Sequence, residues 1–197
     1  MTVDEMPTRI AAIPTRDNTT LNSLINRSIT SIENEEVTSI GNSAFQSCSN
    51  LTSISFPNAT SIDNNAFYIC SNLTSVSFPN ATKIGVNAFR ECPNLTSVSF
   101  PNATSIGNNA FYICSNLTSV SFPNATSIGN NAFLSCTSLA TLILGKRATL
   151  SNSNAFNNAN SAIIYVQPED LTWYSTATNW SALYADGRVK SIEELPT

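Results

Sequence analysis

Cysteine recurs every 22 residues through the middle of this chain, and other residue types recur in step with it. Phenylalanine, leucine and isoleucine keep the same interval, beginning at Phe45, Leu51 and Ile40. A fixed interval of this length is typical of a solenoid, in which each repeat forms one rung stacked on the last. The cysteines that mark the interval are Cys48, Cys70, Cys92, Cys114 and Cys136.

One repeat shows what each rung contains. Residues 51–72 read LTSISFPNATSIDNNAFYICSN. Polar and apolar residues alternate from Ser53 to Phe56, which predicts a short strand with one buried face. The Pro57-Asn58 pair predicts a turn, and a second short extended segment follows it. The Ala-Phe-x-x-Cys element then predicts a compact turn that returns to the core, because 22 residues cannot hold a full crossover helix.

The repeat divides the chain into three parts. Residues 29–161 form six rungs of 22 or 23 residues, of which the first and last are degenerate, as capped solenoids require. We predict a β-rich solenoid, a right-handed array of short parallel strands with compact turns. Residues 1–28 are predicted to be an N-terminal cap or linker, and residues 162–197 a small α+β capping module in which Tyr174 and Trp180 cover the core. Val189 and Ile192 suggest a final strand in this module.

Composition argues against several classes of function. The chain has no histidine, and only 11% of its 197 residues are charged. The commonest general base and metal ligand is therefore missing, and we find no catalytic motif, so we predict no enzyme activity, no cofactor and no metal. The net charge of −4 gives no basic footprint for nucleic acid, and no apolar run is long enough to span a membrane. We interpret the cysteines as buried thiols, with disulfides as the less favoured alternative.

The repeated pattern L-x-x-I-x-F-P-x-x-x-x-x-I-x-x-x-A-F-x-x-C resembles the BspA-like, or Treponema-type, leucine-rich repeats. The resemblance covers about residues 29–161, and its A-F-x-x-C element is specific. The chain departs from the family in having Phe78 where leucine is commoner, and in rungs one residue shorter than usual. The resemblance implies a bacterial surface protein, or one carried by a phage or prophage, that adheres or recognises. The location expected is extracellular, on the cell surface or on a virion, although the N-terminus shows no signal-peptide pattern.

A candidate contact surface emerges when the rungs are compared with one another. The strand segments barely change, whereas the two positions after each Ala-Phe pair do. An arginine between two tyrosines in successive rungs predicts a cation–π stack, and these residue types are enriched at interfaces. The alternative is a ladder that only stabilises the fold. The predicted partner is a protein or a surface glycan receptor, and the candidate residues are Tyr68, Ile69, Arg90, Tyr112, Ile113 and Leu134.

The two ends of the array differ in charge. The first rung carries Glu33, Glu35 and Glu36, and the last carries Lys146 and Arg147. One interpretation is that charges protect edge strands from pairing with other chains. The other is that acidic and basic ends attract head to tail, which favours a structural spacer or a filament or tail-associated subunit over a recognition module.

Overall fold

Residues 30–196 are described by a computed structural model, and they form a stack of short parallel strands closed by a small helical cap. The predicted N-terminal segment 1–28 lies outside the described residues. Each rung contributes two strands. The strands are β1 Ser31–Glu33, β2 Ser39–Ile40, β3 Ser53–Ser55, β4 Ser61–Ile62, β5 Ser75–Ser77, β6 Lys83–Ile84, β7 Ser97–Ser99, β8 Ser105–Ile106, β9 Ser119–Phe122, β10 Ser127–Ile128, β11 Thr141–Leu144, β12 Thr149–Leu150, β13 Ile163–Val166 and β14 Val189–Ser191.

Strand pairing follows the repeat. Each strand lies parallel to its equivalent one rung away, so that Ile32 is opposite Ile54 and Ile40 is opposite Ile62. The second strands of the six rungs form one continuous sheet, in the order β12-β10-β8-β6-β4-β2. The first strands of the rungs form two sheets, β1-β3-β5 and β11-β9-β7, and β13 and β14 of the cap extend the latter to β14-β13-β11-β9-β7. This arrangement confirms the predicted β-rich solenoid of stacked parallel strands.

Polar side chains at the turns bind the neighbouring rung. The hydroxyl group of Thr82 donates to the carbonyl oxygen of Thr60 at 3.1 Å, and the Nδ2 of Asn80 donates to the carbonyl oxygen of Pro57 at 2.9 Å. The same two bonds recur in the next rung, from Thr104 and Asn102. The Asn column therefore satisfies carbonyl oxygens at the turns, whereas the Thr hydroxyl groups add a second bond to carbonyl oxygens that already accept from a backbone N–H of the next rung.

The core is a stack of phenylalanine rings. In the stack that contains Phe45, Phe67 and Phe89, the centroids of adjacent rings lie 5.2 and 5.1 Å apart and the rings are nearly parallel. A second stack, which includes Phe78 and Phe100, packs beside the first, with its rings tilted relative to those of the first. All of these rings are buried. Because every rung presents the same ring at the same place, the core is continuous and no rung has to bury its apolar side alone.

The cysteines lie within this core as buried thiols, as predicted. Each of the last four donates from Sγ to a phenylalanine carbonyl oxygen of the preceding rung; Cys70, for example, contacts the Phe45 oxygen at 3.0 Å and Cys136 the Phe111 oxygen at 3.0 Å. Burial raises the pKa of the Cys114 thiol well above its ordinary value and raises the pKa of Cys136 to about 12. Cys114 and Cys136 therefore keep their thiol protons, which they donate to phenylalanine carbonyl oxygens.

The sheet of first strands is interrupted between β5 and β7. The bond from Thr96 N to Thr74 O is 3.5 Å long, whereas its equivalents in neighbouring rungs are 2.8 Å. Val76, on β5, is only partly buried, unlike its equivalents Ile54 and Val98. The two neighbouring rungs stay joined through the even-numbered strands β6 and β8. The stack is thus continuous on one side and open on the other at this junction.

A cap covers the last rung. A single 3-10 turn at Pro168–Asp170 leads into helix α1, Leu171–Thr176, and then helix α2, Ser181–Ala185. The Trp180 indole N–H donates to the Ala148 carbonyl oxygen at 2.7 Å, and the Tyr174 hydroxyl group accepts from the Ala148 N–H at 3.1 Å. Both aromatic side chains are buried, so they close the apolar core and also satisfy the backbone groups of Ala148, directly before the terminal strand β12.

The final elements differ in one respect from the sequence prediction. Val189 and Ile192 together suggest a last strand, but β14 ends at Ser191 and Ile192 begins a 3-10 turn, Ile192–Glu194. The Ser191 side chain accepts from the Glu193 N–H while the Glu194 side chain accepts from the Ser191 N–H. This capping box stops the strand and starts the turn. Within residues 30–196, no helix has the length and apolar character needed to cross a lipid bilayer.

Candidate contact surface

Two surface columns run along the stack where the chain passes from each buried phenylalanine to the next buried cysteine. The tyrosine–arginine column contains the first residue after each phenylalanine, and the isoleucine–glutamate column contains the second. The tyrosine–arginine column is Gln46, Tyr68, Arg90, Tyr112 and Leu134. The isoleucine–glutamate column is Ser47, Ile69, Glu91, Ile113 and Ser135. All six candidate residues predicted from the sequence therefore lie on one face of the solenoid.

Backbone hydrogen bonds hold the two columns in register. The N–H of Ile69 donates to the Arg90 carbonyl oxygen at 2.9 Å, and the N–H of Glu91 donates to the Tyr112 oxygen at 2.8 Å. These bonds require the second column to adopt a positive φ, which turns each N–H toward the next rung. The values are 60° at Ile69, 59° at Glu91 and 58° at Ile113. Side chains on adjacent rungs are consequently in line.

The arginine in the first column lies between two tyrosine rings. The guanidinium carbon of Arg90 is 5.5 Å from the centroid of the Tyr68 ring and 4.7 Å from that of Tyr112. Both distances are within the range of a cation–π interaction, so the predicted stack is present. Because the two ring faces contact the guanidinium group, the tyrosines offer their edges and hydroxyl groups, rather than open faces, to a binding partner.

The isoleucines in the second column occupy an unusual backbone conformation. A positive φ is strained for a β-branched residue, since its Cβ approaches the following carbonyl oxygen. Other rungs place Ser47 and Ser135 in the same position with the same φ. Ile69 is nevertheless 36% exposed, among the most exposed large apolar side chains in the described region. Isoleucine is therefore unfavourable for the backbone conformation at these two positions, and neither side chain is buried in the core.

The third rung, 73–94, carries several sequence changes at surface positions. It differs from the next rung, 95–116, at five positions, none of which is buried. Two of these residues matter for the surface and were not among the predicted site residues. The five differing residues are Lys83, Val86, Arg90, Glu91 and Pro93.

The two missed residues are Glu91 and Val86. Glu91 pairs with Arg90, Oε1 to Nε at 3.0 Å, and each side chain is 32% exposed. Val86 is 37% exposed and stands where other rungs have asparagine, for example Asn108. Both residues can be found by comparing equivalent positions in successive rungs, because each differs from the repeat at a surface position.

The surface formed by β1, β3 and β5 has fewer kinds of side chain than the two columns. The outward residues of β1, β3 and β5 are serines and one glutamate, and they line a shallow hollow of about 360 Å³. The outward serines recur in every rung from β3 to β9, as in Ser75 and Ser97. The two columns, in contrast, combine aromatic edges, exposed aliphatic groups and one ion pair. Among residues 30–196 no three side chains of His, Cys, Asp or Glu converge as metal ligands would.

The sequence matches the family described as BspA type leucine rich repeat region, with six copies over residues 22–105 and 104–178. No relative among curated proteins matches this chain. The family match covers most of the chain, and it coincides with the rungs and the start of the cap.

Solved structures give the same fold. A leucine-rich repeat protein from Bacteroides ovatus is 27% identical with a TM-score of 0.63, over 71% of this chain and 40% of its own. A leucine rich cell surface protein from Faecalibacterium prausnitzii is 28% identical with a TM-score of 0.58, over 61% and 33%. The pneumococcal vaccine antigen PcpA, at 16% identity and a TM-score of 0.63 over 85% and 41%, supports the fold alone.

The present chain spans less than half the length of each of these three proteins. Repeat, fold and sequence match agree over the same residues. The chain is a member of the BspA-type leucine-rich repeat family.

Proposed function

We propose that this protein is a non-enzymatic recognition module that binds a protein partner at a bacterial cell surface. Binding uses the two surface columns, with Tyr68, Arg90, Tyr112, Ile69 and Ile113 as the principal contacts. The observation that carries this proposal is a pair of isoleucines at positive φ, Ile69 exposed and Ile113 partly exposed, beside a tyrosine–arginine stack. The fold imposes the positive φ at this position but does not require isoleucine there, and backbone strain of this kind is typical of functional surfaces.

A protein partner is favoured over a flat glycan by the orientation of the tyrosines. Glycans commonly bind across open aromatic faces, but Arg90 already contacts a face of Tyr68 and a face of Tyr112. Exposed aliphatic groups beside tyrosine edges instead suit the apolar and aromatic side chains at the centre of a protein interface. A cell-surface location is supported by the family and by the similar Faecalibacterium cell surface protein.

End-to-end assembly, the alternative function, would depend on two basic residues at one end of the array, and one of them is already paired within the chain. Arg147 contacts Asp170 of the cap, Nε to Oδ1 at 2.6 Å, so its charge is compensated within the chain. The basic end predicted from Lys146 and Arg147 is therefore weaker than the sequence indicates. Recognition through a lateral face is better supported than assembly through the ends.

Binding by a Tyr68→Ser/Tyr112→Ser variant tests the proposal. The intact chain is immobilised and exposed to bacterial and host surface proteins and to a glycan array, and retained ligands are identified. We expect the double variant to lose the protein ligand that the wild type retains. A control with the same number of changes on the serine surface, Ser75→Ala/Ser119→Ala, should retain it. If both variants retain the protein ligand equally, the two columns are not its binding site.

A further inference from the structure

We infer that the partner at the two columns is a second copy of this chain, in a two-fold symmetric dimer whose stacks run parallel. This inference rests on the proposed function, because it names the partner of the same surface. It differs from head-to-tail assembly, since the contact is lateral and closes after two copies. A two-fold interface must be complementary to itself in shape, polarity and charge.

The two columns complement each other rung by rung. Consider a two-fold axis that runs parallel to the stack, in front of the surface and midway between the two columns. This axis places each residue of the tyrosine–arginine column opposite the partner's isoleucine–glutamate residue of the same rung. Tyr68 then faces the partner's Ile69, and Tyr112 faces the partner's Ile113. Aromatic and aliphatic side chains meet in both rungs, and each contact occurs twice. Adjacent rungs differ by about 4.8 Å in both copies, so the register is maintained along the interface.

Charge determines the orientation. In the parallel arrangement, Arg90 faces the partner's Glu91, and the pair forms twice around the axis. An antiparallel two-fold would place each column against itself, with Arg90 opposite the partner's Arg90 and Glu91 opposite the partner's Glu91. Like charges in contact are strongly unfavourable at an interface. The 3.0 Å contact between Arg90 and Glu91 within one chain already shows that both head groups lie at the same height on the surface.

The isoleucines supply the apolar part of the contact. The rungs on either side of the central three carry Ser47 and Ser135 at the same backbone conformation, so the fold does not require isoleucine there. Ile69 and Ile113 flank the charged rung symmetrically, one rung away on each side. Apolar groups on both sides of a central ion pair exclude water from it when a second copy docks, which strengthens the paired charges.

The size of the patch sets the expected affinity. Six side chains from each copy form the centre, fewer than the about 20–30 residues per side of a stable interface. We therefore expect a reversible dimer with a dissociation constant between about 1 µM and 1 mM. Added salt should weaken it, because the Arg90 and Glu91 side chains are partly exposed in the free chain, where salt screens the attraction between the two copies.

Sedimentation equilibrium over this concentration range tests the dimer, with charge reversals as the variants. Arg90→Glu and Glu91→Arg each place like charges across the axis, and each should raise the dissociation constant at least about 100-fold. An equimolar mixture of the two variants restores opposite charges at both contacts, so it should form a heterodimer about as stable as the wild-type dimer. Lys83→Glu, the same charge change in the same rung but outside the columns, should leave dimerisation unchanged.

A second variant keeps the test independent of the cation–π stack. Ile69→Ser/Ile113→Ser introduces the residue that the chain itself uses at Ser47 and Ser135, so the fold should tolerate it. We expect this variant to be monomeric across the same concentrations, with a circular dichroism spectrum identical to that of the wild type.

The outcomes separate this inference from the proposed function. A wild type that stays monomeric, a dimer insensitive to Arg90→Glu, or a mixture that fails to form the heterodimer would each overturn the inference. If the monomeric wild type still captures another protein in a Tyr68- and Tyr112-dependent way, the proposed function stands without it. If it captures nothing, both are wrong.

Discussion

The buried cysteine thiols couple the stability of the fold to alkaline pH. The pKa of Cys136 rises through burial from an ordinary 9.0 to about 12, and that of Cys114 also rises. Between these values the unfolded chain has lost the thiol proton while the folded chain keeps it, so stability falls as pH rises. Well below pH 9 both states hold the proton, and this thiol has no effect on the pH dependence of stability.

We therefore expect the free energy of unfolding to fall between pH 8 and pH 10.5. Cys136 alone should contribute about 2 kcal/mol of this fall. Urea unfolding at the two pH values measures it. A Cys136→Ala variant introduces the residue that the last rung carries at the equivalent position, Ala159, and it should show a smaller pH dependence. An equal dependence in both proteins would mean that this thiol does not carry the effect.

Ile69 provides a second test at the residue scale. We expect Ile69→Asn to change the free energy of unfolding by less than about 1 kcal/mol, because relief of the positive-φ strain offsets the apolar contact that is lost. Asn158 adopts the same conformation in the last rung, with φ of 60°. At buried Ile62, removal of the side chain to alanine should cost about 2–5 kcal/mol. Urea unfolding compares them, and a loss above about 2 kcal/mol at Ile69 would identify it as a core residue.

The cap can be tested through the hydroxyl group of Tyr174. It donates to the Lys146 carbonyl oxygen at 2.9 Å and accepts from the Ala148 N–H, so Tyr174→Phe leaves backbone groups of the last rung without partners. We expect the free energy of unfolding to fall by about 1–3 kcal/mol. The matched control is Tyr184→Phe, since Tyr184 is 37% exposed. If the two variants are equally stable, the hydroxyl group does not stabilise the cap.

The open junction between β5 and β7 gives a prediction for single amides. Phe56 N donates to Ser77 O, and Phe100 N donates to Ser121 O, both at 3.1 Å. Within residues 30–196 no backbone bond of this kind joins Phe78 N to Ser99 O. Native-state hydrogen exchange should therefore be faster at the Phe78 amide than at the Phe56 and Phe100 amides. Equal protection at the three positions would show that the sheet is closed in solution.

The repeat predicts the elements well and the junctions poorly. The strands, the phenylalanine core and the burial of the cysteines follow from the 22-residue interval, because equivalent residues in a stack have equivalent surroundings. The open junction does not follow, since residues 73–78 and 95–100 are both LTSVSF. Identical strands give no reason to expect one pairing to be lost. The end of β14 at Ser191 was also missed, because it depends on a capping box rather than on hydrophobic pattern.

The candidate surface was predictable in part for a related reason. Tyr68, Arg90 and Tyr112 are visible as a column once the rungs are aligned, and the structure places the arginine between the two rings. The positive φ of Ile69 was not predictable from that residue itself, because isoleucine disfavours it. The backbone conformation is imposed by bonds between rungs, which override the local preference of a single residue.

At the scale of the whole molecule, stability is a sum over similar rungs and their interfaces. Each rung contacts only its two neighbours. When one rung is removed, the two rungs that become adjacent present to each other the same kinds of surface that they presented to the removed rung. Deleting residues 73–94 removes one complete rung and brings the second rung directly onto the fourth, with Tyr68 next to Tyr112. Deleting residues 73–83 removes half a rung and misaligns all that follows.

Urea unfolding of these two deletion variants is the most direct test of the stacked architecture. For the deletion of 73–94, a single cooperative transition is expected, with an m-value below that of the wild type because less surface is exposed on unfolding. For the deletion of 73–83, no cooperative transition is expected. If the complete-rung deletion fails to fold, or if the two deletions behave alike, the chain is not a stack of interchangeable rungs.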